Sequence, residues 1–232
     1  MTETTTYTQK AWTLTDLYQS FDDPEYEATF VKIRQGVQKF QDYRDQLKAD
    51  ISEDLFVNII TEYEHVYKLL SRLNGFAQLS FAADTQDQKA QAEVARVDQF
   101  QAETHNQTIF FELWWKALDD EGAERLLQAS GDFRYWLVAM RNFKDFTLSE
   151  PEEKIINIKD VTGVNALNML YDSITNRYTF KLEVDGEEKE MTRGELGVLA
   201  REPDPDLRAR AYQELYRVYV PVSYTHLTLP TN

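Results

Sequence analysis

A chain of 232 residues, 42% hydrophobic and 28% charged, has room for one large domain or two small ones and is too apolar to be disordered. Forty acids against 25 bases leave a net charge of −15, which argues against nucleic acid and against an anionic membrane as partners. The lack of cysteine excludes disulfides, thiolate metal sites and a cysteine nucleophile.

The N-terminal stretch Met1-Thr2-Glu3-Thr4-Thr5-Thr6 is polar, with neither the basic nor the apolar region of a signal peptide. No apolar run approaches the ~20 residues needed to span a bilayer. A cytoplasmic location is therefore expected. Thirteen Phe, thirteen Tyr and four Trp supply a large aromatic core.

Residues 1–11 read as a disordered lead. Thr13 is placed to cap a short helix with Asp16 at its third position, and Trp12 to pack on Leu17 as a hydrophobic staple. Pro24 suits a first helical turn, and Phe30, Ile33, Val37, Phe40 and Leu47 follow at near-helical spacing, with Gly36 as a weak point. Ser52 starts a second helix, flanked by Ile51 and Phe56. Its stripe runs Leu55, Ile59, Tyr63, Val66, Leu70, Leu73 and Ala77, widened by Phe56, Ile60, Tyr67 and Phe81.

Thr85-Gln86-Asp87-Gln88 matches a capping box ahead of a third long helix. That helix carries Val94, Val97, Ile109, Phe110, Leu113 and Trp114, diluted by polar residues from Gln101 to Thr108. Asp119-Asp120-Glu121-Gly122 reads as its end. Ala123 to Ala129 then form a short helix closed by Gly131, and Phe133 to Phe143 an aromatic-rich one.

Ser149-Glu150-Pro151-Glu152 combines a capping box, a first-turn proline and acids at the positive helix end. Gly163 reads as a break before a helix bearing Val164, Leu167, Leu170, Tyr171 and Ile174. The period then drops to two: Tyr178, Phe180, Leu182 and Val184 alternate with polar residues. Asp185-Gly186 supplies a type I′ turn, and Glu187 to Met191 the partner strand. Thr192-Arg193-Gly194-Glu195 opens another helix, stapled by Met191 and Leu196. Asp204-Pro205-Asp206 opens the last, with Leu207, Ala211, Leu215 and Val218 on one face. After Tyr219 the pattern collapses, and Ser223 to Asn232 reads as non-native sequence.

The fold class expected is mainly α, long antiparallel helices with one small β-hairpin at about 177–191. Chemistry is harder to find. Glu62 and His65 make a Glu-x-x-His pair, half of a di-iron site, but His105 faces Ala102 where the second copy needs Glu. His65 reads instead as a partly buried surface histidine. None of His65, His105 and His226 opens a His-Glu-x-x-His zinc motif. Ser71, Ser80 and Ser130 lack the nucleophile elbow. Glu152/Glu153 and Glu187/Glu188 read as solvated charge. Phe110, Phe111, Trp114 and Trp115 read as core or domain interface rather than a ligand pocket. No catalytic, cofactor-binding or metal residue is assigned.

The order Trp136-Leu137-Val138-Ala139-Met140-Arg141, Leu148 to Ile155, Thr162-Gly163-Val164, Leu170-Tyr171-Asp172, Val184-Asp185-Gly186, Thr192 to Leu196 and Pro203 to Arg208 with Ala211-Tyr212 resembles the oligoendopeptidase F family of zinc metallopeptidases. Trp12 to Tyr18 and Phe81 to Thr85 are similar as well. The resemblance implies a helical, cytoplasmic, channel-forming enzyme that cleaves short peptides internally, with zinc held by a His-Glu-x-x-His helix and a further Glu. This chain then corresponds to the N-terminal, substrate-gating part. Zinc is expected in a full-length parent and not in this fragment, which should be inactive alone. Oligopeptides are the expected substrates.

The resemblance suggests an N-terminal helical domain at 12–116, family-type helices with the hairpin at 117–191, the opening of the catalytic region at 192–222, and a non-native tail at 223–232. The alternative is a non-enzymatic helical interaction module, since wide apolar stripes call for partners.

Overall fold

The computed structural model describes residues 13–227, with side chains through Val220. Residues 1–11, the packing of Trp12 and the stretch 228–232 lie outside the described residues. Backbone contacts divide the chain into two compact units, Met1–Ala166 and Leu167–Asn232.

Three helices dominate the first unit: α1 (Pro24–Gln41), α2 (Glu53–Ala83) and α3 (Gln88–Ala117), each packed on the other two. Asp23 caps α1, its carboxylate accepting from the Glu25 N–H, and Ser52 caps α2 by accepting from the Leu55 N–H. Gly36 is a point of close approach: a Cβ there would lie 2.8 Å from Cγ2 of Val66 on α2. Helices α2 and α3 run antiparallel. Phe56 stacks on Trp115, Tyr63 bonds Glu112 and Tyr67 bonds Thr108, so one number falls as the other rises.

The stripe read on α2 is buried nearly as expected, from Phe56 through Ile59, Tyr63, Val66, Leu70 and Leu73 to Phe81. Ile51 and Phe56 share the same core, as a staple requires. The unit is completed by α4 (Asp120–Ala129), α5 (Arg134–Arg141) and α6 (Glu150–Asp160). Arg141 seals the end of α3 by donating to the carbonyls of Trp115 at 2.7 Å and Leu118 at 3.0 Å.

Several starts differ from the sequence reading. Thr13 opens only a single turn, closed by Leu17 N–H to Leu14 O at 2.8 Å. Gln19 N–H then donates to Asp23 Oδ2, which draws the chain into the cap of α1. The cap of α3 is Asp87, not Thr85. Its carboxylate accepts from the N–H groups of Lys89 and Ala90, while Asp84 turns the chain by accepting from Gln86 N–H. The acidic run at 119–122 begins α4 rather than ending α3. Asp119 accepts from Gly122 N–H at 2.7 Å, where negative charge meets the positive helix end. Gly163 makes no break: a π-helical turn, Val161–Asn165, absorbs one extra residue and the chain stays helical.

The second unit holds α7 (Ala166–Thr175), β1 (Phe180–Val184), β2 (Glu187–Met191), α8 (Arg193–Leu199) and α9 (Pro205–Leu227). The antiparallel register pairs Phe180 with Met191 and Val184 with Glu187. Asp185 at φ 57° and Gly186 at φ 81° make the turn, as a type I′ hairpin demands. Thr192 and Glu195 cap α8 reciprocally. Phe180, Leu182, Met191, Leu196 and Ala211 form the core. Helix α9 passes Tyr219, where the sequence reading ended it, and continues through Pro221 to Leu227. Proline forfeits one backbone bond but keeps a helical φ, so a single one is tolerated.

Candidate functional site

The polar stretch that dilutes α3 has one buried side, while Gln101, Glu103 and Gln107 on the other are exposed. Thr104 and Thr108 are buried and His105 half-buried, and His105 and Thr108 meet Tyr67 of α2. Tyr63 and Tyr67, one turn apart, stack with ring centroids 4.3 Å apart. The Tyr63 hydroxyl donates to Glu112 Oε1 at 2.8 Å. The Tyr67 hydroxyl meets Thr108 Oγ1 at 2.9 Å and His105 Nδ1 at 3.2 Å. Glu112 Oε1 also lies 3.7 Å from His105 Nδ1, and its Oε2 lies 3.9 Å from Lys116 Nζ. Burial pushes the Tyr67 phenol up to about 12 and Tyr63 well above its ordinary value. Both phenols therefore remain neutral at physiological pH.

Two open cavities lie in the first unit, the first of them walled by the two tyrosines. One, of about 600 Å³, has an aromatic wall of Tyr63, Tyr67, Phe133 and Trp136, with Glu64, Lys68 and Ser71 around it. The other, of about 660 Å³, is floored by Phe110, Leu113 and Trp114 and edged by Leu47 and Leu148. Its charged groups are Arg44, Lys116, Lys144 and Glu150. Arg44 grips Glu150 with both arms, at 3.1 and 2.6 Å, and its guanidinium lies 5.1 Å from the centre of the Phe110 ring. The Arg44 hydrogen bonds hold the Glu150 carboxyl below its ordinary range.

Residues 114–180 match the Oligopeptidase F family model. The fold is similar to the crystal structure of oligoendopeptidase-F from Enterococcus faecium, with a TM-score of 0.59 and 18% identity over 85% of this chain and 38% of that one. The resemblance to the oligoendopeptidase F family holds. A putative peptidase from Chlamydophila abortus matches with a TM-score of 0.48 and 16% identity, over 92% of this chain and 36% of that one. No curated protein matches. The chain spans well under half the length of either solved relative, and its fold resembles the helical N-terminal part of oligoendopeptidase F.

Peptidases of this family imply a metal, and the described residues assemble no site that fits one. Among the described residues no three His, Cys, Asp or Glu side chains converge as ligands would. His65 is exposed, more so than its reading as partly buried, and Glu62 pairs with Lys39 at 2.5 Å. His105 is engaged by Tyr67. Ser130 is buried and donates to Leu127 O at 2.8 Å.

Glu152 and Glu153 serve the start of α6, accepting from the N–H groups of Ser149 and Leu148. Glu187 and Glu188 are exposed. Of the aromatic run, Phe110, Phe111 and Trp115 are core, while Trp114 and one side of Phe110 face the second cavity. The Tyr–His–Glu cluster went unread in the sequence. Its trace was the polar interruption at 101–108, which a helix would not carry on a buried face without partners.

Proposed function

We propose that this chain is the substrate-gating helical portion of a zinc-dependent, cytoplasmic oligoendopeptidase that hydrolyses internal bonds of short peptides. The match of residues 114–180 to the Oligopeptidase F family carries this reading, and the shared fold supports it. On this view residues 12–116 and 117–191 build part of a channel wall, 192–222 begin the catalytic region, and 223–232 are foreign to the protein. In the full-length parent zinc would supply Lewis-acid chemistry, and none of the described residues of this chain would hold it. This chain's own residues bind and orient peptide and restrict its size. They contain no His-Glu-x-x-His sequence.

The test is hydrolysis of an internally quenched fluorogenic oligopeptide. The 232-residue chain should leave it intact, and a protein extended by its reading frame should cleave it until a chelator is added. Chelator-sensitive cleavage by the pure 232-residue chain would refute the gating role. So would an extended frame without the zinc motif.

A second reading, a helical interaction module, is favoured by one observation. Val164, Leu167, Leu170 and Tyr171, the apolar residues read on the helix after Gly163, are 56, 65, 55 and 50% exposed. A chain that acts by itself as such a module would bind a partner while its extended frame showed no peptidase activity.

A further inference from the structure

The second cavity concentrates positive charge in a chain that is otherwise strongly acidic. Arg44, Lys116 and Lys144 face one acid, Glu150, across an apolar floor. Arg44 is spent on Glu150, which also takes Lys154 at 2.6 Å. Lys144 reaches only the Leu118 carbonyl, at 3.3 Å. Lys116 is the unusual group. Its side chain is only 16% exposed, yet its nearest carboxylate is 3.9 Å away. That carboxylate belongs to Glu112, whose other oxygen is held by Tyr63. An ammonium has three donors, and with the stem packed and no carboxylate nearer than 3.9 Å, those donors are left to the open cavity that Lys116 lines. The cavity that Lys116 lines is where an acceptor can enter.

We propose that this cavity binds a carboxylate carried on an apolar body, with Lys116 and Lys144 on the carboxylate and Phe110, Leu113 and Trp114 under the body. Its volume, about 660 Å³, suits one or two residues rather than a folded partner. The source is the C-terminal residue of an oligopeptide with an apolar side chain. Taking a peptide as the source rests on the peptidase reading; the demand for an acid with an apolar body does not.

Fluorescence anisotropy on the full 232-residue chain tests this, using a short peptide ending in Phe with a fluorophore on its N-terminus. The free acid should bind at least tenfold tighter than the C-terminal amide. K116M should abolish that preference while leaving the circular dichroism spectrum unchanged. K116R should restore most of it, and K159M, on an exposed face, should keep it. N-acetylphenylalanine should displace the labelled peptide, and inorganic phosphate at equal concentration should not.

Equal affinity for acid and amide in the native chain overturns the proposal, and this comparison needs no variant to fold. So does a preference that survives K116M, or displacement by phosphate as effective as by the acid. N-acetylphenylalanine has no internal peptide bond between residues to cleave, so its binding is judged apart from hydrolysis. An extended protein that cleaves no peptide but keeps the acid preference sinks the peptidase reading and leaves the cavity's chemistry standing.

Discussion

The two units solve the problem of stability differently. The first buries a stack of rings from distant helices: Phe40, Phe56, Tyr63, Phe111, Trp115 and Trp136 touch in series. The second has five buried apolar residues in its core. It leans on side chains aimed at the backbone: Glu214 and Arg210 on the hairpin, and Thr192 with Glu195 on α8. A smaller unit buries a smaller fraction of its surface, so directed hydrogen bonds carry more of the load. The second unit should therefore open first.

The sharpest way to break this contrast is Phe180→Ala. Phe180 is fully buried, and its truncation should cost about 3–5 kcal/mol. That rivals the whole stability of a unit of this size, roughly 3–10 kcal/mol. Hydrogen exchange read by mass spectrometry should show β1 and β2 losing protection while α2 and α3 keep theirs. Loss of protection in α2 and α3 as well would mean the units are not separately stable.

Trp115→Phe should act only on the first unit. It removes the indole N–H that donates to Leu137 O at 2.9 Å and leaves that buried carbonyl with its helical partner alone, a cost of about 1–1.5 kcal/mol. Urea unfolding followed by circular dichroism should show that transition shifting to lower denaturant, with protection of the hairpin unchanged.

Glu214→Gln is the mildest change, about 1 kcal/mol at neutral pH. Glu214 is buried, and the Arg217 hydrogen bonds, aided by the Lys181 N–H, hold its carboxyl below the ordinary 4.5. The folded unit thus binds that proton less readily than the unfolded chain. Its contribution is complete above pH 4.5 and is lost as the pH falls through the lowered folded-state value. The variant should flatten the acid side of the second unit's stability profile. An unchanged profile would mean that Glu214 adds nothing.

Much of this architecture is legible from residues near one another in the chain. Asp185-Gly186 sets its turn by backbone preference, Thr192 and Glu195 find each other across one helical turn, and the α2 stripe announces its own buried face. The candidate site is not local in that sense. Tyr67 meets His105 because two helices settle at a particular register, and Arg44, in the turn after α1, meets Glu150 at the start of α6 across 106 residues; no periodicity encodes either. The capping errors have a related cause. Asp84, Thr85 and Asp87 are all competent caps, and the choice fell to Asp87 through bonds to two backbone donors at once. The exposed face at Leu167 and Tyr171 shows the limit of periodicity: a stripe marks an apolar surface without saying what covers it.

The hairpin also carries a negative message about how peptides can be held. A two-stranded sheet ordinarily offers two free edges to an incoming extended chain. Here the outer rim of β1 is occupied, since the Lys181 N–H goes to Glu214 and the Glu183 carbonyl accepts from Arg210, both on α9. The rim of β2 presents Glu188 and Glu190, whose charge repels acidic chains and whose solvation resists burial. Strand addition is thus closed off at β1, and at β2 it is disfavoured for an acidic chain.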